Sequence, residues 1–224
     1  MSDCLKKLVL KSVKKSYELP GRGVAVLGNV TCAFQEGQTY AIHGVSGSGK
    51  STILHLLGGL DSTTAGDVLL EDVSIRLLVR DFLQNTIGFV FQTHYLVNEL
   101  PVIENIMLPG LVKNISQYEC QIRAEELLEM IGMSEKSFAY PAELSGGQQP
   151  RGAVARALFN KPAFLLADEP TGNLDAENAQ RIVDVMLAAN KAWGMGVIIC
   201  SHDAAVYKRM QHVYLLDHGV LSLA

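Results

Sequence analysis

The sequence predicts an α/β fold in which a mostly parallel sheet is covered by helices. Short β-rich runs recur at Thr39–His43, Val68–Leu70, Thr86–Phe91, Ala163–Ala167, Val197–Cys200 and Val213–Leu216. Several are apolar throughout, as strands buried on both faces are. Helical periodicity lies between them, and no internal repeat or low-complexity linker divides the chain, so 1–224 reads as one continuous domain.

Each element has a local cause. Lys6, Lys7, Lys11, Lys14 and Lys15 are interleaved with hydrophobic residues, which predicts the solvated face of a first strand and not a phosphate-binding stripe. Thr39–His43 runs into a glycine-rich loop and then into helix-forming Ile53–Leu57. Ser116 and Glu119 form a capping box. Cys120, Ala124, Leu127, Leu128 and Ile131 follow at helical spacing, and Gly132 ends that helix. Asp175 is placed to cap another helix that buries Ala179, Ile182, Val183, Met186 and Leu187. Between Gln92 and Leu144 the pattern is helical with little strand signal, predicting a small helical lobe set into the α/β core.

Composition removes several function classes. The 224 residues carry 19 Lys+Arg against 23 Asp+Glu, with 48% hydrophobic residues, an ordinary globular balance that gives no reason to expect nucleic acid. Apolar runs such as Ala163–Ala167 fall far below the ~20 residues a spanning helix needs. Leu8-Val9-Leu10 is too short for the apolar region of a signal peptide, so a cytoplasmic location is expected. The cysteines at 4, 32, 120 and 200 form no CxxC pair and are read as reduced, mostly buried thiols.

The chemistry starts at Gly44-Val45-Ser46-Gly47-Ser48-Gly49-Lys50-Ser51-Thr52, which satisfies GxxxxGK[ST] between a strand and a helix. Glycines let the backbone N–H groups close around phosphate oxygens, and the helix aims its positive end there. Lys50 would reach the β- and γ-phosphates, and the Ser51 hydroxyl would ligate Mg²⁺. A P-loop that hydrolyses its nucleotide also needs a carboxylate for the metal and a group that orients water. The apolar run Phe164–Ala167 ends in Asp168 and Glu169, which would supply both.

Leu144-Ser145-Gly146-Gly147-Gln148 is a more specific pattern than the P-loop itself, arising by chance in about one chain in a few thousand. With it the whole chain resembles the ATP-binding subunits of ABC transporters, its motifs in that family's order. The resemblance implies a P-loop NTPase core with an N-terminal antiparallel β subdomain and an inserted helical subdomain at about 93–157. It places Tyr17 where the family stacks an aromatic ring on adenine, Gln92 as the Q-loop glutamine that senses metal and water, and Leu144–Gln148 as the signature. Asp168 and Glu169 become Walker B, Gly172-Asn173-Leu174-Asp175 the D-loop, and His202 the switch histidine at the γ-phosphate. Ser145 is read as the cap of a helix whose free Gly146 and Gly147 N–H groups form an anion site. In the family that site faces the γ-phosphate on a second copy, so two chains sandwich two ATP molecules.

His55–Asp61, Thr64–Val68, Phe91–Leu96 and Ala167–Asp175 resemble the lipoprotein-releasing branch of the family, which shares the last two runs with macrolide-export and cell-division relatives. That implies an ATPase dimer on two integral membrane permease subunits, with lipoprotein cargo handled by those subunits. The stretch from Gln92 to about Leu111 would hold the groove for their cytoplasmic helices. Its apolar residues Leu96, Leu100, Val102, Ile103 and Ile106 could equally be core.

Gln149-Pro150-Arg151-Gly152 departs from the family pattern after the signature. Pro150 removes a helical N–H and Gly152 adds up to ~1 kcal/mol relative to Ala, so a distorted first turn, and with it a weakened contact to ATP on the second copy, is expected. A poorly hydrolysing nucleotide-binding module stays open as a second reading on that ground. A DNA-repair or chromosome-maintenance ATPase does not fit, because residues 93–143 hold neither heptads nor zinc pairs.

Overall fold

A computed structural model describes residues 5–19, 22–172 and 174–224. The chain opens with a long antiparallel pair, β1 (Lys7–Leu19) and β2 (Arg22–Gln35), then enters β3 (Thr39–His43), the phosphate loop and helix α1 (Lys50–Leu57). β4 (Ala65–Leu70), β5 (Val73–Ser74), α2 (Val79–Asn85) and β6 (Ile87–Val90) follow. The helical lobe contains α3 (Val102–Val112), α4 (Gln117–Met130) and α5 (Gln148–Leu158). The chain returns through β7 (Phe164–Asp168), α6 (Ala176–Trp193), β8 (Gly196–Cys200), α7 (Ala204–Tyr207), β9 (His212–Asp217) and β10 (Val220–Leu223).

Two sheets result. One is antiparallel, in the order β2-β1-β4-β5, and the other runs β10-β9-β3-β8-β7-β6 with every pair parallel except β10 against β9. The expected antiparallel subdomain and mostly parallel core are both present. Val68–Leu70 belongs to the former, as part of β4 paired with β1, and not to the parallel sheet.

Alternation along the parallel strands sends side chains to two different cores. Ile42, Phe164, Leu166, Ile198 and Cys200 join Ile53, Leu54 and Leu57 of α1 and Leu8, Leu10 and Phe34 of the antiparallel sheet. Ala41, Leu165, Ala167, Val197 and Ile199 face the other way, toward Ile106, Leu127, Leu158, Ile182 and Met186 of the lobe and α6. α1 is therefore clamped between the two sheets, which fixes the phosphate loop at its start.

The lobe forms as its capping signals dictate. Ser116 Oγ accepts from Glu119 N at 3.3 Å, the Glu119 carboxylate accepts from Ser116 N at 3.3 Å, and Gly132 closes the end at φ 64°. Asp175 caps α6 by accepting from Asn178 N at 2.8 Å. On α6 Leu187 is only half-buried and Ala189 takes the core position, because the packed stripe drifts round a helix of 18 residues.

Lys15 departs from the expected solvated row. Leu8 and Leu10 face the core, but Ser12 adopts φ 51° and the β1–β2 register shifts between Leu10 and Val13. The bulge reverses the parity of the strand. Val13 and Lys15 then point inward, with Lys15 only 8% exposed, while Lys6, Lys7, Lys11 and Lys14 stay in solvent.

Candidate nucleotide site

The parallel register brings the chemical residues together. Asp168 pairs with Cys200 across β7–β8, and Cys200 with Ile42 across β8–β3, so three strands end at one level. Ligand sites in open α/β sheets form beyond the carboxyl ends of such strands. Here the chain leaves β3 into Gly44, β7 into Glu169 and β8 into Ser201 and His202. Glu169 N donates to Cys200 O at 3.0 Å and Ser201 N to Ile42 O at 3.2 Å, continuing the ladder into the loops.

A cleft of about 490 Å³ lies over these ends, lined by Val26, Gly44–Gly47, Gly49–Thr52, Gln92, Glu169, Gly172 and His202. Gly44 and Gly49 are required by the loop's path. Gly49 has φ 105°, and a Cβ there would stand 2.7 Å from Val26 Cγ1; at Gly44 it would stand 2.4 Å from the Leu216 carbonyl oxygen. The Lys50 ammonium donates to Gly44 O at 3.0 Å and Val45 O at 3.1 Å, curled back over its own loop, and lies 3.8 Å from Glu169 Oε1.

Glu169 adopts φ 43°, a conformation that costs a non-glycine residue energy and is retained mostly at functional turns. It turns the carboxylate into the cleft, where Oε2 lies 3.0 Å from His202 Nδ1. Ser201 is fully buried, and its hydroxyl accepts from Asp203 N at 3.1 Å, fixing the turn that presents His202.

Asp168 is buried beside Ser51, and its Oδ1 has no hydrogen-bond partner. Burial pushes its carboxyl above the usual range, against the hydrogen bond from Ser51. An orphaned carboxylate oxygen next to the P-loop hydroxyl fits a hard divalent cation such as Mg²⁺, which takes oxygen ligands.

Other expected site residues stand apart. Tyr17, 37% exposed, is not on the cleft wall; its phenol donates to Asp61 Oδ2 at 2.7 Å. Ser145, Gly146, Gly147, Gln148 and Asp175 do not line this cleft. Gly147 packs against Asn178, whose amide donates to Asp175 Oδ2 at 2.8 Å, so the start of α5 and the start of α6 brace one another. Asn173 lies outside the described residues, as does Cys4; Cys32, Cys120 and Cys200 are buried free thiols.

Two expectations about the signature are corrected. Ser145 does not cap the helix through its side chain: α5 starts at Gln148, its cap is Gly147, and no side chain bonds the first turn. Instead the Ser145 carbonyl accepts from Gln148 N at 2.9 Å and Gln149 N at 3.2 Å, and Gln148 Oε1 accepts from Ser145 N at 2.9 Å. Pro150 is then the third helical residue, in the first turn where proline is tolerated, and α5 runs unbroken from Gln148 to Leu158.

Sequence reasoning missed Val26, because β2 is long and its apolar residues do not advertise a site. The apolar residues left open between groove and core are settled: Val102, Ile103 and Ile106 are buried, and Leu96 and Leu100 half-buried. A separate groove of about 300 Å³ runs between core and lobe past Gly58, Leu60, Phe89, Phe91, Pro109 and Arg156. Arg156 reaches from α5 to donate to His94 O at 2.6 Å and Tyr95 O at 2.5 Å, pinning the turn after Gln92 to the signature helix.

A phosphate loop, an acidic pair on a buried strand end and a histidine facing that pair across the cleft define a P-loop nucleoside triphosphatase. Residues 27–172 match the model of the ABC transporter family. The chain is 41% identical to the lipoprotein-releasing system ATP-binding protein LolD of Idiomarina loihiensis, covering 99% of this chain and 98% of that one. To LolD of Pseudoalteromonas translucida it is 39% identical, over 95% and 94%. Among solved structures it resembles a dimeric ATP-binding cassette, MJ0796, in a post-hydrolysis state bound to ADP and phosphate (34% identity, TM-score 0.88, 96% of each chain). The chain belongs to the ABC transporter family and is one of its ATPase subunits.

Proposed function

We propose that this ATPase dimerises around two Mg·ATP molecules and powers two integral membrane permease subunits that release lipoproteins from the inner membrane. The convergence of Lys50, Asp168, Glu169 and His202 at three adjacent strand ends carries the hydrolytic part. In this reading the N–H groups of Gly44–Thr52 and the Lys50 ammonium hold the phosphates. Ser51, Asp168 and Gln92 would hold Mg²⁺, which would supply charge neutralisation on the β- and γ-phosphates. Glu169 accepts the proton of the attacking water, and His202 holds the γ-phosphate and the Glu169 carboxylate in register. Tyr17 stacks on adenine from the rim.

The signature residues Ser145, Gly146, Gly147 and Gln148 do not line the cleft of their own chain. They would complete the cleft of a second copy, with Asp175 at the same face. Support for this comes from their exposure at Ser145 and Gly146 and from the dimeric state of the related cassette. Among the described residues no helix is long and apolar enough to cross a membrane. Membrane work therefore needs partners, and the groove at Phe89, Phe91 and Pro109 is their seat, with the chain at the cytoplasmic face. The lipoprotein assignment rests on similarity to the two LolD proteins. Affinity capture from solubilised inner membranes tests it: recovery of lipoprotein-releasing membrane subunits supports this reading, and recovery of export or cell-division permeases replaces the cargo while keeping the ATPase.

A further inference from the structure

Lys15, buried, and Asp61, half-buried, form an ion pair that the hydrolytic site does not use. The Lys15 ammonium donates to Asp61 Oδ1 at 2.6 Å and to Ser62 O at 2.8 Å, and lies 4.5 Å from the centroid of the Tyr17 ring. Two oxygens and one aromatic face thus satisfy its three donors. The other Asp61 oxygen accepts from the Tyr17 phenol at 2.7 Å. Lys15 and Tyr17, two residues apart on β1, share one face of the strand, and the bulge at Ser12 decides which face that is. Asp61 comes from the loop that follows α1.

We propose that Lys15 and Asp61 are positioning residues for the nucleotide base: they lock the Tyr17 ring by its edge and one face, leaving the other face for adenine. This rests on Tyr17 being the base-stacking residue. An unlocked tyrosine at a rim loses rotamer freedom when a base docks, and a ring already fixed does not. The lock also joins the antiparallel sheet to the far end of α1, so the base platform and the phosphate loop move as one body. Burial and the Asp61 contact push the Tyr17 phenol above its usual range, which keeps it a hydrogen-bond donor at neutral pH.

The test measures dissociation constants of ATP and of inorganic tripolyphosphate for the full chain and for Tyr17→Ala, Tyr17→Phe, Asp61→Asn and Lys15→Met. Tyr17→Ala should weaken ATP about 5- to 150-fold, the worth of one base stack, and leave tripolyphosphate unchanged. Asp61→Asn and Tyr17→Phe should each weaken ATP about two- to twelvefold, the cost of ordering one free side chain, again sparing tripolyphosphate. In turnover they should raise KM and leave kcat unchanged. Tyr17→Phe keeps the packing, so it remains informative if Lys15→Met folds poorly. If Tyr17→Ala weakens ATP while Tyr17→Phe and Asp61→Asn do not, the lock is refuted and the stacking role stands. If Tyr17→Ala has no effect, the stacking role fails and the lock with it. Equal losses for ATP and tripolyphosphate would mean general damage to the loop and also refute the lock.

Discussion

Replacing Gly152 by Ala should stabilise the protein, against the usual sign of a core substitution. Gly152 lies inside α5, fully buried, with no positive φ. Alanine is favoured over glycine in a helix interior by about 0.8–1.0 kcal/mol. A Cβ built there meets Leu96 Cδ1 at 3.6 Å and Val102 Cγ1 at 3.8 Å, ordinary van der Waals contact. The methyl group therefore fills space next to two apolar side chains and adds up to about 0.8 kcal/mol. The sum is about 1–2 kcal/mol, or about 2–8 °C in Tm for a chain of this size. Gly88→Ala and Gly110→Ala are the matched controls. At Gly88 the new atom would lie 2.3 Å from the Ala157 carbonyl oxygen, and at Gly110 it would lie 2.3 Å from Phe159 and 2.7 Å from Cys120 Sγ. Each should destabilise by about 1–3 kcal/mol through overpacking. Denaturant unfolding of the three variants decides the matter: a Gly152→Ala protein less stable than the parent would show that α5 and Leu96 are not packed as described.

Asp168→Asn should raise the stability of the metal-free protein at neutral pH and abolish the extra stability conferred by Mg·ATP. Burial raises the Asp168 carboxyl, so the folded chain holds that proton to higher pH than the unfolded chain and stability falls as pH rises from about 4 through the raised value. Thermal melts across that range should show the fall in the parent and not in the variant. Arg156→Lys should cost about 1.5–3 kcal/mol, because an ammonium cannot span the His94 and Tyr95 carbonyls as the guanidinium fork does; urea titration reads it. Pro150→Gln should shift stability by less than ~1 kcal/mol, since Pro150 lies in the first turn of α5.

What the sequence displayed best were features with a local cause. The P-loop glycines, the capping box at Ser116 and the cap at Asp175 depend on neighbours within a few residues, and all took the expected form. The order of motifs along the chain was legible; their grouping in space was not, because it depends on strand register. Nothing near Ser145 signals that Gly147 packs on Asn178 or that α5 starts three residues later. Lys15 looked like one more exposed lysine, since a bulge at Ser12, a residue with no special tendency to positive φ, decides which way it points. Val68–Leu70 read as an apolar strand, and only pairing with β1 shows to which sheet it belongs.

The central claim is that the cleft of one chain is completed by the signature of a second. The most direct test is the solution mass of Glu169→Gln with and without Mg·ATP, measured by light scattering on a sizing column, with Ser145→Arg in the same background as control. The account predicts an ATP-dependent doubling of mass in Glu169→Gln, absent in the Ser145→Arg double variant although ATP still binds. A mass unchanged by bound ATP, or a dimer that tolerates Ser145→Arg, would contradict it.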